Sequence, residues 1–213
     1  MKKVLSLLAV IALVATSLTG CAPKVYKLGS GSYTSVTGRA AVTEKEGRVQ
    51  VTTVVATVLL DSDGKFVYVD IDSAQNQGTF DTLGAILVAD PAKTKTEKGA
   101  EYGMGASSTI GKEWFEQMAA LETYMIGKTL EEVLATPTAE KDASHPAVPT
   151  GEDLMTSVTI SIEGYLAAVE KAVANAVEVE NVASVGSASV STVAGRAATA
   201  EKEGRIQTNV MFV

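Results

Sequence analysis

The chain is predicted to be an α+β protein: an antiparallel sheet with helices packed on one side, followed by a partial second repeat. Three observations predict it. Val- and Thr-rich alternating segments at 49–60 and 65–71 flank Asp61-Ser-Asp-Gly64, a strand–turn–strand signature. Apolar residues recur every three or four positions near 111–125 and again from Ile162, the period of helices with one buried face. The segment beginning at Gly29 recurs from Gly186 at a constant offset of 157 residues.

Residues 1–20 form a targeting segment. Lys2 and Lys3 make a charged start, an apolar run follows, and the run is too short to span a bilayer comfortably. The next step, Leu18-Thr-Gly-Cys21, resembles the bacterial lipobox. That resemblance implies cleavage before Cys21, lipidation of its thiol, and a mature protein held at the cell membrane on the extracytoplasmic side. Ala22 in place of Asp gives no signal for inner-membrane retention in a cell with two membranes. Cys21 is the only Cys, so the mature domain has no free thiol and no disulfide. His145 is the only His, which removes the usual ligand sets of haem, iron–sulfur, blue-copper and structural zinc sites. No metal ligands are assigned. His145 lies in a proline-flanked loop and is read as a surface or loop-packing residue rather than a catalytic base. Loss of Lys2 and Lys3 takes the formal charge from −7 to about −9, which argues against a nucleic-acid partner. It also leaves the lipid, rather than charge, to hold the protein at an anionic membrane.

Residues 21–32 are read as a tether, with Gly29-Ser-Gly31 a flexible spacer, and the domain is placed at 33–180. Its first strand pair is the hairpin around Asp61-Ser-Asp-Gly64; Lys65 at the third ligand position makes this turn a poor Ca²⁺ loop. Residues 72–84, with Gln75, Asn76 and Gln77, are read as a polar connector, and a short strand starts at Ile86. The charged run 93–101 is expected to be solvated, and Tyr102-Gly-Met-Gly105 is a loop with a functional or core-filling role. Ile110, Trp114, Met118, Leu121 and Met125 share one face of the next helix, with Trp114 its core anchor and Gly127 its stop. Thr129-Leu-Glu-Glu132 is a capping box that starts a short helix before Pro137.

Asp153-Leu-Met-Thr156-Ser157-Val-Thr159-Ile-Ser161 precedes the last helix, where Thr156, Ser157, Thr159 and Ser161 are positioned to cap orphan N–H groups. The spacing of the acid, the small-residue run and the Thr before a C-terminal helix resembles the closing motif of the FMN-binding domain family. The strand–Asp-Gly-Lys–strand unit upstream is also similar to that family. The resemblance implies a covalent FMN, esterified through its phosphate to Thr159 by a separate flavin transferase, with Asp153 part of the recognition motif. Cofactor-binding residues implied are Asp153, Thr156, Ser157, Thr159 and Ser161. The family's Ser-Gly-Ala-Thr is here Thr156-Ser-Val-Thr159, and Val158 is bulkier and stiff at χ1. The function implied is a lipid-anchored extracytoplasmic electron carrier, more an electron-transfer or binding protein than a catalyst. Its partners are then the membrane, the transferase and a redox partner. The alternative is a non-enzymatic surface-binding or structural lipoprotein on a degenerate version of the same fold.

Residues 181–213 are a truncated second repeat. Gly38-Arg-Ala-Ala41 matches Gly195-Arg-Ala-Ala198, and Glu44-Lys-Glu-Gly-Arg48 matches Glu201-Lys-Glu-Gly-Arg205. Two arrangements stay open at this point: a cut-off tandem array, or strands added to the first sheet.

Overall fold

The computed structural model describes residues 23–90 and 93–212. The targeting segment and Cys21 therefore lie outside the described residues. A five-stranded antiparallel sheet runs in the order β4-β3-β2-β1-β7. Its strands are β1 (Val25–Arg39), β2 (Gly47–Leu60), β3 (Phe66–Phe80), β4 (Ile86–Asp90) and β7 (Val177–Glu180). The predicted hairpin is β2–β3. Its turn is closed by the Asp61 carboxylate, whose Oδ1 accepts from the N–H groups of Asp63 and Lys65, both at 2.9 Å, while Gly64 takes φ +76°.

Strand alternation gives the sheet two different faces. One carries Val54, Ala56, Val58 and Leu60 from β2 and Val69 and Ile71 from β3, all members of the main core. Two longer helices cover this face: α2 (Trp114–Met125) over β3, and α5 (Glu163–Ala174) over β1 and β2. They contribute Trp114, Met118, Leu121, Leu166, Val169 and Ala172 to the same core. Shorter pieces are α1 (Lys95–Lys98), a 3₁₀ turn at Gly99–Tyr102, α3 (Leu130–Leu134) and α4 (Glu152–Met155). A two-residue ladder also joins β5 (Thr138–Ala139) and β6 (Val148–Pro149). The Thr129 capping box forms as predicted: Thr129 Oγ1 accepts from Glu132 N–H, and the Glu132 carboxylate accepts from Thr129 N–H.

The opposite face of the sheet carries Val49 and Val55 from β2 and Asp70, Asn76 and Gly78 from β3. The second repeat lies against it. Strands β8 (Ser189–Arg196) and β9 (Arg205–Phe212) form a separate two-stranded sheet. Their pairing, Arg196 opposite Arg205, repeats that of Arg39 opposite Arg48 in β1–β2. The tips match as well. Arg39 Nε donates to the Glu46 carbonyl and an Arg196 guanidinium N–H donates to that of Glu203. The duplicated sequence thus folds twice into the same hairpin. The second copy does not add strands to the first sheet, as one of the two sequence-based arrangements had it. It stacks on the sheet through Ser191 Oγ donating to Asn76 Oδ1 (3.0 Å), a Ser187–Asp70 hydrogen bond, and Ile206 seated over Gly78.

Three local expectations are corrected. Residues 25–32 are not a spacer but the first half of β1, and Gly29 and Gly31 face α5. A Cβ on Gly31 would sit 2.3 Å from Ala172 N and 2.5 Å from Ala168 O; one on Gly29 would sit 2.1 Å from Ala172 O. Missing side chains let the helix backbone approach the strand, a role that flexibility does not describe. The polar run 72–80 is not a connector but the second half of β3. β2, β4 and the stacked hairpin enclose it: Asn76 is fully buried, its Oδ1 accepting from Ser191 Oγ, while Asn76 Nδ2, Ser73 Oγ and Thr79 Oγ1 are buried without a hydrogen-bond partner among the described residues. The charged run at 93–101 forms α1 and the 3₁₀ turn, burying Thr94 and Lys95 rather than solvating them.

β4 pairs β3 only from Gln77 to Phe80; on the rest of that edge Phe66 bonds to the backbone of Gly127 and Lys128, and α2 reaches Ile71. Ile71 N–H donates to Glu122 Oε1 at 2.7 Å. Burial pushes the Glu122 carboxyl from its ordinary 4.5 up to about 7; the Ile71 N–H opposes the shift, and Asp70 and Asp72 add to it. Between pH 4.5 and 7 the folded state therefore holds a proton on Glu122 that the unfolded chain has released. Stability falls as pH rises through that window, by about 3 kcal/mol for a shift of this size. Glu122→Gln keeps an acceptor for Ile71 and removes the titration. Urea midpoints at the two ends of the window should differ less in Glu122→Gln than in the wild type; an equal difference in both would reject the assignment.

Candidate functional site

The residues singled out from sequence fall on the irregular connection between α4 and α5. Asp153 lies in α4, and a tight turn follows: Ser157 N–H and Val158 N–H both donate to Leu154 O at 2.9 Å. The turn drives Val158 into the core, where it is fully buried among the side chains of α2 and α5. That packing explains the bulky residue at this position: a smaller one would leave a void under the loop. Thr159 emerges on the far side, half-buried, and Ser161 follows.

None of the four hydroxyls caps α5. The N-cap of that helix is Ile162, with no side-chain cap. They are instead satisfied at a distance or exposed. Thr159 N–H donates to Gln117 Oε1 at 2.8 Å, and Thr159 Oγ1 donates to the same oxygen at 3.3 Å. Ser161 Oγ accepts from Ala147 N–H at 3.1 Å, beside a backbone bond from Ile162 N–H to Ala147 O. Thr156 is exposed. Asp153 and Ser157 share a groove of about 420 Å³ with Ala119, Ala120, Thr123 and Tyr124 of α2. The five predicted residues are therefore not one cluster: Asp153 and Ser157 open onto the groove, and Thr159 and Ser161 are anchored to other elements.

Gln117 is the residue sequence reading missed. It is fully buried, and each polar atom has a partner: its amide N–H groups donate to Ser108 Oγ (3.1 Å) and the Lys112 carbonyl (3.2 Å), while its oxygen holds Thr159. A signal existed. Gln117 interrupts the apolar stripe of Trp114, Met118 and Leu121, and a polar residue there needs a buried partner. Through it α2 fixes the backbone at Thr159 without any contact that sequence spacing would reveal.

A second polar–aromatic group lies nearby in α1 and α2. Trp114 is the core anchor expected of it, and its Nε1–H donates to Tyr165 Oη at 2.8 Å. Burial pushes the Tyr165 hydroxyl up to about 12. Lys95 lies with Nζ 4.9 Å from the Tyr102 ring centroid and 5.2 Å from that of Trp114. Burial lowers its amine to about 8, helped by Lys98 and opposed by Asp72. The loop at Tyr102 is held by Glu113, whose two carboxylate oxygens accept from Met104 N–H and Gly105 N–H, both at 2.9 Å. His145, as read from sequence, is an exposed turn residue; its Nδ1 lies 2.8 Å from Asp142 Oδ1. Among the described residues no three His, Cys, Asp or Glu side chains are placed to hold a metal ion. No described helix is long and apolar enough to cross a membrane.

The implied FMN can be tested against this geometry. A phosphoester at Thr159 Oγ1 would remove the longer of the two bonds to Gln117 and leave the shorter N–H bond intact. The loop anchor therefore survives the modification. The hydroxyl belongs to a residue that keeps solvent access. The groove at Asp153 is lined by Ala119, Ala120, Thr123, Tyr124, Leu154 and Ser157 as well, and Thr159 does not line it. The backbone anchor of the loop is thus compatible with a modified Thr159 hydroxyl, and bulky Val158 is accommodated by pointing inward.

Comparison with known proteins adds one short match. A chlorophenol reductase of Desulfitobacterium hafniense is 56% identical over 41 residues. These residues make up 19% of this chain and 12% of that protein, so the chain spans a small fraction of its relative's length. No protein-family model matches the chain. No solved structure matches it.

Proposed function

We propose that this chain is a lipid-anchored extracytoplasmic electron carrier with FMN esterified to Thr159. The observation that carries the reading is the half-buried Thr159 on a loop whose backbone is locked by the fully buried Gln117. A carrier of this kind needs its flavin held in a constant orientation, and the protein supplies that orientation while the bound flavin supplies the redox chemistry. Gln117 positions the Thr159 backbone, Val158 wedges the loop to the core, and Asp153 and Ser157 edge a groove against α2 that Thr159 does not line. The Thr hydroxyl is a weak nucleophile at its ordinary pKa and has only an amide oxygen as neighbour, so deprotonation and activation of the phosphate fall to the transferase. The reductase named in the partial match is consistent with a redox setting but covers too little of the chain to carry the reading.

A surface-binding module on the same fold is the second reading. Val158 favours it, because its bulk stands where the related motif has a small residue. One experiment separates the two. The mature chain co-expressed with a flavin transferase should gain the mass of an FMN ester and in-gel flavin fluorescence, and Thr159→Val should lose both. An unmodified wild-type chain, with the transferase active on another acceptor, would reject the carrier and leave the binding module.

A further inference from the structure

The outer strands of the two larger sheets are not alike. In the five-stranded sheet, β4 has five residues, ends on Asp90 and is followed in sequence by Pro91, and β7 has four residues, two of them Glu178 and Glu180. Short length, charge and proline are the usual means by which a sheet edge is kept from pairing with another chain. Strand β9 has none of them. It runs for eight residues, and from Ile206 to Phe212 it holds no charged residue, no Pro and no Gly. Its register with β8 is unbroken, so no bulge turns it aside. It pairs with β8 on one side. On the other, no backbone group of 205–212 is bonded among the described residues.

The duplication shows what such an edge takes. β9 repeats β2 at the 157-residue offset, from Arg205 for Arg48 to Phe212 for Val55. In the first copy the corresponding edge of β2 is filled along its length by β3, antiparallel, with Val49 opposite Gly78, Val51 opposite Asn76 and Thr53 opposite Ala74. The same positions of β9 are Ile206, Thr208 and Val210. The facing segment of β3, residues 73–80, is uncharged and made of amide, hydroxyl and small side chains with one Phe. Space is also open below. β9 lies over β2, and the next strand of the lower sheet is β1. Val36 of β1 is opposite Val51, and Val51 is opposite Asn76, whose side chain reaches the hairpin, so all three share the hairpin side. Val36 is nevertheless 66% exposed.

We propose that the free edge of β9 is a strand-addition site for a partner protein. It takes an extended, uncharged segment rich in amide and small side chains, antiparallel to β9, whose inward side chains cover Val36. Main-chain hydrogen bonds supply the affinity and alternate side chains the selectivity. Charge points to the same class: the chain as a whole is acidic, at −7, and β9 offers no carboxylate to a basic segment. A second copy of β9 does not fit. Antiparallel pairing of β9 with itself sets both five-stranded sheets under one layer, where β1 of each molecule meets β2 of the other. The surface lies on the opposite face of the sheet from the Thr159 loop, so this proposal and the flavin reading fail independently.

The probe is a synthetic peptide of residues 73–80, blocked at both ends, added to the ¹⁵N-labelled full chain. Backbone amide signals of β9 should shift saturably, alternate residues most, because every second N–H of an edge strand points outward. Two forms of the peptide, N-methylated on one or the other set of alternate residues, separate strand pairing from adhesion. The form methylated on the pairing edge should bind at least tenfold more weakly, and the other as the parent does. A peptide carrying Gln75→Glu and Gln77→Glu should also lose at least tenfold. Val36→Glu changes an exposed side chain of the protein and should weaken the parent peptide by about tenfold. No saturable shift in β9, equal binding by both methylated forms, undiminished binding of the acidic peptide, or unchanged affinity in Val36→Glu would each overturn the proposal.

Discussion

Gly31→Ala should lower the melting temperature by about 10 °C, and Gly31→Val should prevent folding. The smaller change already forces a Cβ to within 2.3 Å of Ala172 N, 2.5 Å of Ala168 O and 2.7 Å of Lys171 C. All three are backbone atoms of α5, so no side chain can swing aside to relieve them. The helix must lift from β1, and the packing of Ala168, Val169 and Ala172, all fully buried, loosens with it. A cost of about 3 kcal/mol follows, which for a domain of this size is a shift of about 10 °C. The neighbouring Ser30 faces the opposite side of the strand, where its Oγ lies 3.1 Å from Thr57 Oγ1. Ser30→Ala should therefore cost well under half as much. Thermal denaturation of the three variants decides it, and a Gly31→Ala protein as stable as Ser30→Ala would refute the close-approach role.

Gln117→Leu should cost about 2–4 kcal/mol, although it exchanges a buried polar side chain for an apolar one of similar length. The reason lies in what it abandons. Thr159 N–H loses its 2.8 Å acceptor, and Ser108 Oγ and the Lys112 carbonyl lose their donors. These three groups are half-buried, so each one left unpaired costs part of the penalty of a buried group, and the three losses add to the cavity strain of the exchange. The expected signature is local as well as global. Amide hydrogen exchange at Thr159 should accelerate about a hundredfold, because the loop can open without unfolding the helices. Exchange in the β2–β3 ladder should change only by the global loss of stability. Unchanged protection of the Thr159 amide would show that the turn at Leu154 and the buried Val158 suffice to hold the loop. Gln117→Glu retains an acceptor but places a charge in a fully buried position, and should be at least as costly as Gln117→Leu.

Much of the architecture was legible in the sequence, because the signals are local. The Asp61-Ser-Asp-Gly64 turn, the Thr129–Glu132 capping box and the apolar face of α2 each depend on residues within a few positions of one another. The repeat was equally legible, since identical segments face identical local preferences and close identical hairpins. The motif at 153–161 was visible as a pattern, but its hydroxyls were assigned to the wrong partners. Proximity to a helix start suggested caps. Thr159 and Ser161 instead reach Gln117 and Ala147, 42 and 14 residues away.

By itself the sequence determined the α+β class, the hairpin and helix order and the duplication, because propensity, turn chemistry and periodicity act over one or two turns of chain. Only the tertiary structure decided that Gly29 and Gly31 are contact surface rather than spacer, that 72–80 completes a strand, that Lys95 is buried, and that the second hairpin stacks on the sheet instead of extending it. Each of those outcomes depends on which distant backbone or side chain fills the adjoining volume. Steric exclusion and the pairing of buried polar groups act between elements far apart in sequence, so their result exists only once the layers have met.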